Sequence, residues 1–527
     1  MGKALRNIGI VSGLTMVSRV LGLGREMAIA AAFGATALGS AFATAFTLPN
    51  LFRRLLGEGA LTAALVPTLQ EETARGGKAA ALRLVSEVAT WTLLAAGVIT
   101  AAAMALLGAH AWWGPQLLAW GWEADTVARW ELGAELGVIL FPYMVTVCLA
   151  AVFSAALQTR GRFLEPALNP VWLNLCMVGL LGYGVWSAPG DDAVRMRWLC
   201  AGVLAGGVAQ MVGPGWALMR LGWSPRWSPQ AGPGVRQIAR LMVPTLFGSA
   251  IYLVNMTVSR LLGLSLDDAA ATVLNLSTRV MELPIGVFAV AITTVVFQQI
   301  SKHAAEGRLD LLAVDYRKGM RLILLVNVPA AVGLVVLAEP ITRVLFERGK
   351  FTAANTLTMA PVLAVGALAL PALAFVGLAL RAFYARKDMR TPVQAATWSF
   401  VINVVASVVL MRWFGVTGLA AGSTVAVLFQ AGFLQSKLAR EHEGLGFSHL
   451  AGHLGKVVAA SAVMGGVVAA AWWGWRQGVT TGGGRDLAGL AVSVAAGVVT
   501  FGVAAWVLRL EGRDEVLALV KRKLKRG

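Results

Sequence analysis

The chain has 527 residues, of which 57% are hydrophobic and 14% charged, about half the charge content of an ordinary soluble domain. With 59 glycines and a mean hydropathy of +0.70, several soluble globular domains in series are excluded and a polytopic membrane protein is indicated. Lys and Arg number 45 against 27 Asp and Glu, a net charge of +18, and such an excess either forms a nucleic-acid patch or follows membrane topology.

The first residues are basic and then apolar, as in a secretory signal, but the apolar run continues through Arg19 and Arg25 to Phe33, far beyond a signal's ~7–15-residue core. It is read as a retained first membrane helix. A ~20-residue window gives fourteen candidate spans, at 7–33, 38–69, 84–108, 132–157, 166–187, 198–219, 238–263, 270–300, 320–338, 355–380, 392–412, 416–436, 456–475 and 486–508. The expected fold is an all-α membrane protein with an N-terminal six-helix lobe at 1–222 and a second six-helix lobe at 223–440. Two additional helices within 441–510 and a basic tail at 511–527 complete it.

The distribution of charge decides between the two readings of the basic excess. Counting a basic residue in the first or last three positions of a span with its adjoining loop, 30 of the 45 fall at the termini and in the loops after even-numbered spans, 9 in the opposite loops and 6 inside spans. Positive residues stay inside, so both termini are expected in the cytoplasm. Gly34 to Gly39 and Leu266 to Ala269 then lie outside, and Arg75 to Lys78 and Arg386 to Arg390 inside. The tail with Lys521, Arg522, Lys523, Lys525 and Arg526 is read as a solvated end near anionic membrane phospholipids, not as a nucleic-acid site.

No soluble insert has room for a nucleotide-binding domain, and no P-loop, H-E-x-x-H or G-x-S-x-G motif occurs. No catalytic residue, cofactor or metal is therefore expected, and the chain is read as a transporter and not an enzyme. His449 and His453 are spaced as two helical metal ligands could be, but with His442 they are read as part of a solvated amphipathic connector. Cys148, Cys176 and Cys200 lie in apolar stretches, as small hydrophobes do.

Six basic residues lie inside spans beyond the three positions at either end: Arg19, Arg25, Arg53, Arg54, Arg260 and Arg279. Each costs about 2.5–3.5 kcal/mol at a helix centre, so a wet cavity or a countercharge is required. Glu58 follows Arg54 by four residues and Glu282 follows Arg279 by three, so each shares a helical face with its arginine. Arg260, near the end of its span, is expected to snorkel. The other five arginines outnumber Glu26, Glu58 and Glu282, leaving a net positive site. Guanidinium groups are planar forks suited to phosphate, so a phosphorylated amphiphile is the expected ligand. Gly22, Gly24, Pro49, Gly57, Gly59 and Pro284 flank these arginines, either as breaks lining a cavity or as points of close helix packing.

The halves echo each other. Arg53 answers Arg279 at a separation of 226, and at that separation Arg160 answers Arg386 and Pro166 answers Pro392. A duplicated six-helix unit of this kind is the architecture of alternating-access transporters.

The segments MVSRVLGLGREMAIAAAFG, AFTLPNLFRRLLGEGALTAALVPTL, SAALQTRGRFLEPALNPVWLN, STRVMELPIGVFAVAITTVV, VLFERGKFTAANT and LRAFYARKDMRTPV resemble the MurJ (MviN) family of lipid II flippases in the multidrug/oligosaccharidyl-lipid/polysaccharide exporter superfamily. The resemblance implies two six-helix lobes around a central cationic cavity, two further helices, and a multi-pass protein of the bacterial cytoplasmic membrane. It implies export of lipid II, the undecaprenyl-pyrophosphate-linked peptidoglycan precursor, with the cell-wall synthesis machinery as a candidate partner. The family's required cavity arginines fall on Arg19, Arg25, Arg53 and Arg279, with Arg54, Glu26 and Glu58 in neighbouring motif positions. The chain departs from the family at Ser40, where many members have an acidic residue. It departs again at Asn255, Asn403 and Ser407, which stand where some members bind sodium through carboxylates, so a sodium site of that kind is not expected. An exporter of another polyprenyl-phosphate-linked oligosaccharide and a non-transporting scaffold are the alternatives.

Overall fold

The computed structural model describes residues 2–52, 60–285, 290–386, 388–446, 448–478 and 483–511, and among them all regular structure is helical. The chain divides into two compact units, Met1–Thr272 with Arg348–Phe351, and Val273–Glu347 with Thr352–Gly527. The first half supplies α1 (Gly2–Phe33), α2 (Ala37–Phe52), α3 (Ala60–Gly108), α4 (His110–Ala119), α5 (Ala124–Leu140), α6 (Pro142–Gln158), α7 (Leu164–Ser187), α8 (Asp192–Met219) and α9 (Pro233–Leu266). The second supplies α10 (Ala270–Pro284), α11 (Val290–Ala305), α12 (Leu309–Val336), α13 (Ala338–Phe346), α14 (Ala353–Ala367), α15 (Leu370–Ala385), α16 (Arg390–Glu441), α17 (Ser448–Gly478) and α18 (Gly483–Val507).

Eight described helices are long and apolar enough to cross a membrane, and a ninth crossing is available if α5 and α6, bent by 42° at Phe141, act as one span. Span and helix do not correspond one to one, because glycine folds the longest helices. In α16, Gly415 has φ +55°, a backbone that residues with a Cβ rarely adopt. The chain doubles back there. Ser399 donates to the carbonyl of Ala426 at 3.1 Å and Ser423 to Asn403 Oδ1 at 3.1 Å, while Gly418 and Gly422 lie so close to Leu410 and Ser407 that a Cβ would collide with them. The sums of the paired positions are nearly constant, as in an antiparallel hairpin, so α16 holds both predicted spans 392–412 and 416–436. Gly77, with φ +70°, likewise breaks α3. Leu65 and Leu69 before it and Leu84 and Val88 after it enter one buried cluster with Val152, Leu157 and Trp223.

The offset of 226 is visible in the backbone. The Leu157 carbonyl accepts the amides of Arg160 and Arg162 after α6, and the Phe383 carbonyl accepts those of Arg386 and Asp388 after α15. The next helices begin at Leu164 and Arg390, again 226 apart, each with a proline in its first turn, where the missing amide costs no intrahelical bond.

The loops assigned to one side by charge also meet. In the first unit Ser40 donates to the Asp268 carbonyl at 2.6 Å, Arg129 reaches Leu264 O at 3.0 Å and Asp268 at 3.2 Å, and Lys350 pairs with Asp192. At its other end Trp223 bonds Ser86 at 2.9 Å, and Gln237 bonds Glu71 at 3.1 Å. In the second unit Asp310 meets His442 at 3.0 Å, Arg386 pairs with Glu441 and Arg321 with Glu511. The α17–α18 pair packs on α12 through Leu325, Val457 and Ala505. His453 is not solvated, as the connector reading expected. It is buried, with Nε2 3.2 Å from the Arg321 carbonyl, because α17 begins at Ser448 and already packs on α12 at that point.

Candidate cationic site

The α1 helix carries Arg19, Arg25 and Glu26. Arg19 is half-buried, whereas Arg25 and Glu26 are 7% and 4% exposed. A guanidinium removed from water needs its charge and its donors satisfied by protein. Arg25 Nη2 pairs with the Glu26 carboxylate, and Nη1 donates to Asn174 Oδ1 at 2.9 Å. The same Asn174, on α7, donates from Nδ2 to the Ser18 carbonyl at 3.2 Å. One buried amide therefore ties α1 on both sides of Arg19 and fixes the Arg25 fork. Arg25 Nε, also buried, has no partner among the described residues.

Arg279 is held differently. On α10 its Nη1 lies 3.0 Å from Glu282 Oε2, one turn on, and the two side chains are 27% and 36% exposed. The shared helical face read from the spacing of three is present. Arg19 and Arg25 belong to the first unit and Arg279 to the second. Arg53, Arg54 and Glu58 lie outside the described residues.

Arg260 corrects its expectation. It does not snorkel but is buried at 6% exposure, donating from Nη1 to the Ala271 carbonyl at 3.0 Å. Asp267 Oδ1 accepts the amides of Ala269 and Ala270, turning the start of α10 back over the last turns of α9, so a carbonyl meets the guanidinium before water can.

At the positions compared with sodium-binding carboxylates, Asn403 and Ser407 are buried. Asn403 Oδ1 accepts Ser407 Oγ at 3.2 Å and Ser423 Oγ at 3.1 Å. This cluster is neutral, and its shared oxygen is occupied by hydroxyl donors. Asn255 lies on α9, half-buried. Among the described residues no group of three or more His, Cys, Asp or Glu could hold a metal ion. Ser40 is fully buried and, besides the Asp268 carbonyl, lies 3.2 Å from Thr272 Oγ1.

Two polar side chains within the helices, Asn174 and Arg381, lie beyond those that sequence singles out. Asn174 is one of two amides, with Asn169, in the apolar span 166–187, and that polarity at membrane depth is its signal. Arg381 was assigned to the loop after residue 380, but α15 continues to Ala385 and carries Arg381 over the Phe297 ring, 5.6 Å from its centroid, within cation–π range.

Comparison with known proteins places this arrangement. The family model described as lipid II flippase MurJ matches residues 29–480. A probable lipid II flippase MurJ of Rhizobium meliloti (strain 1021) is 32% identical over 470 residues, covering 87% of this chain and 85% of the relative. The lipid II flippase MurJ of Burkholderia cenocepacia (strain ATCC BAA-245 / DSM 16553 / LMG 16656 / NCTC 13227 / J2315 / CF5610) is 32% identical over 414 residues, 78% of each chain. Among solved structures, a lipid II flippase MurJ in an inward closed conformation superposes with a TM-score of 0.75 at 21% identity, covering 96% of this chain and 99% of that one. An inward-facing MATE family transporter of the MOP superfamily gives 0.61 at 14% identity, covering 80% and 94%. With fold, order of motifs and family model in agreement over most of its length, the chain belongs to the MurJ family of lipid II flippases.

Proposed function

We propose that this chain translocates lipid II from the cytoplasmic to the outer leaflet of the bacterial cytoplasmic membrane by alternating access, with both termini cytoplasmic. The observation that carries the reading is the placement of arginines within apolar helices, set on the positions the family's motifs mark. Guanidinium groups of Arg19, Arg25, Arg53, Arg54 and Arg279 bind the pyrophosphate. Glu26, Glu58 and Glu282 hold those arginines charged and oriented while the site is empty.

Binding needs no chemistry beyond charge and hydrogen bonding. A pyrophosphate oxygen competing for Arg279 displaces an exposed carboxylate partner at small cost. At Arg25 it finds a fork whose direction Glu26 and Asn174 have already set, with Nε still free to donate. Ordering the fork beforehand lowers the entropic cost of capture. The fold is one that solved MATE transporters adopt in inward-facing and outward-facing forms, at TM-scores of 0.61 and 0.54, which supports rocking between two states. The neutral Asn403–Ser407–Ser423 cluster supports a cycle without sodium bound there.

The test is translocation by the purified protein in vesicles, offered lipid II and, separately, a polyprenyl-monophosphate-linked oligosaccharide. Movement of lipid II alone or in strong preference is expected. Preference for the other lipid assigns a different cargo, and movement of neither favours a scaffold.

A further inference from the structure

The apolar face that begins on α3 extends further than a hydrocarbon core can cover. Between Glu87 and Glu123 the chain contains no Asp, Glu, Lys or Arg. Its helical part, residues 88–119, is about 48 Å long laid end to end at ~1.5 Å per residue, against a core of ~30 Å. Trp91 and Val98, seven residues apart, and Trp112, fourteen further on, are all exposed, and the exposed stripe runs on to Trp120 at 75% exposure. The stripe does not stop at the junction between α3 and α4.

The neighbouring helix marks the depth. α5 runs antiparallel alongside, with Gly137 against Leu107, Val138 against Gly108 and Glu131 against Gly114. Level with α4, α5 carries Asp125, Arg129 and Glu131, and Asp125 and Ala128 are exposed. Charged side chains at that level place it beyond the hydrocarbon core. At the same level α4 exposes Ala111, Trp112, Pro115, Leu118 and Ala119, a face with no charge. Two helices side by side thus present opposite surfaces.

We propose that α4 is an interfacial anchor whose exposed face lies in the boundary between headgroups and acyl chains of one phospholipid leaflet. Tryptophan rings concentrate at that boundary, where an apolar body and a polar N–H are both satisfied. The surface continues the lipid-facing stripe of α3 and offers no charged group to fix the register of a protein partner. Its occupant is therefore lipid, and α4 holds this end of the first unit at a set depth. The inference does not depend on which lipid-linked substrate is moved.

The test uses the full-length protein in phosphatidylethanolamine–phosphatidylglycerol vesicles, nitroxide-labelled at Ala111→Cys or Ala119→Cys on α4 and at Asp125→Cys or Ala128→Cys on α5, with the native cysteines replaced. Collision with oxygen and with a water-soluble nickel chelate is measured at each site. Labels on α4 are expected near phosphate depth, oxygen-accessible, with at least threefold less nickel contact than labels on α5. Nickel contact equal to that on α5 would place α4 in water, and a depth near the bilayer centre would make it part of a span. Immobilised labels reached by neither reagent would mean that a protein, including a second copy of this chain, covers the face. Each of these three results overturns the proposal.

Discussion

Arg25 and Arg279 stand on equivalent chemistry and in opposite surroundings. Arg25 is buried, its carboxylate partner is buried beside it, and an amide from another helix completes the fork. Arg279 is about a quarter exposed and its carboxylate partner Glu282 about a third. Removing one member of a buried pair costs about 3–5 kcal/mol, because the other is left charged without a partner. An exposed pair one turn apart contributes roughly 0.3–0.5 kcal/mol. The first arginine is thus enclosed by a buried carboxylate and a buried amide, whereas the second is paired at a partly exposed position.

That contrast is most easily broken at Arg25. Arg25→Ala is expected to abolish transport and to destabilise the folded protein by about 3–5 kcal/mol, because the buried Glu26 carboxylate loses its arginine. Replacing Arg25 and Glu26 together should recover most of the stability and none of the transport, as read by thermal unfolding in detergent and translocation in vesicles. A double variant no more stable than Arg25→Ala would show that the pair is not the reason for the loss. Arg279→Ala should abolish transport with a smaller loss of stability than Arg25→Ala, since its ion pair is the more exposed one. Arg279→Lys should restore it poorly, since a point charge replaces a planar fork. Full rescue by lysine would mean that only net charge matters there.

Asn174→Ala sharpens the comparison at intermediate cost. It leaves a buried guanidinium donor unsatisfied, an expected loss of about 1–3 kcal/mol, and frees α1 at Ser18, so lipid II affinity should fall as well. Unchanged affinity would remove Asn174 from the site. Replacing sodium by a larger organic cation should leave transport unaltered, because Asn403 and Ser407 offer no carboxylate to a hard cation. Abolishing an inside-negative potential should slow transport. The pyrophosphate carries roughly two negative charges, and each is worth ~2.3 kcal/mol per 100 mV.

Among the substitutions, a modest effect confined to stability is expected at Asp388, whose Oδ1 accepts the amides of Arg390 at 2.9 Å and Thr391 at 3.1 Å at the start of α16. Burial pushes this carboxyl up, but the bonds from Thr391 and Arg390 and the nearby Arg386 charge outweigh it and hold it below the usual value. A depressed folded value means that the contribution is present above the unfolded pKa, ~3.9, and lost as pH falls through the folded one. Asp388→Ala should therefore cost about 1 kcal/mol at neutral pH, and the difference from wild type should shrink in acid. A difference independent of pH would contradict the assignment.

Much of this was legible before the fold was seen, for identifiable reasons. Apolar length and the bias of Lys and Arg gave loops that meet where the map groups them, such as Ser40 with Asp268 and Asp310 with His442. The spacing of Arg279 and Glu282 gave their pairing, because a helix converts a separation of three into proximity. Contacts distant in sequence were not legible. Asn174 reaches Arg25 across 149 positions, and no local pattern encodes that. Arg260 looked like a snorkelling residue because sequence shows distance from a span end, not the Ala271 carbonyl that folds back over it. Folding at Gly415 was readable only as a gap between two apolar windows, since φ is a property of the backbone and not of the residue name.

On the function proposed above, lipid II crosses the membrane on guanidinium groups, and Arg279 is the one held in the more exposed ion pair. The most direct test is translocation of lipid II in vesicles by wild type and Arg279→Ala, reconstituted at equal density and matched in thermal stability. Rapid movement is expected from the wild type, and none above protein-free vesicles from the variant. Near-normal movement by Arg279→Ala would contradict this reading.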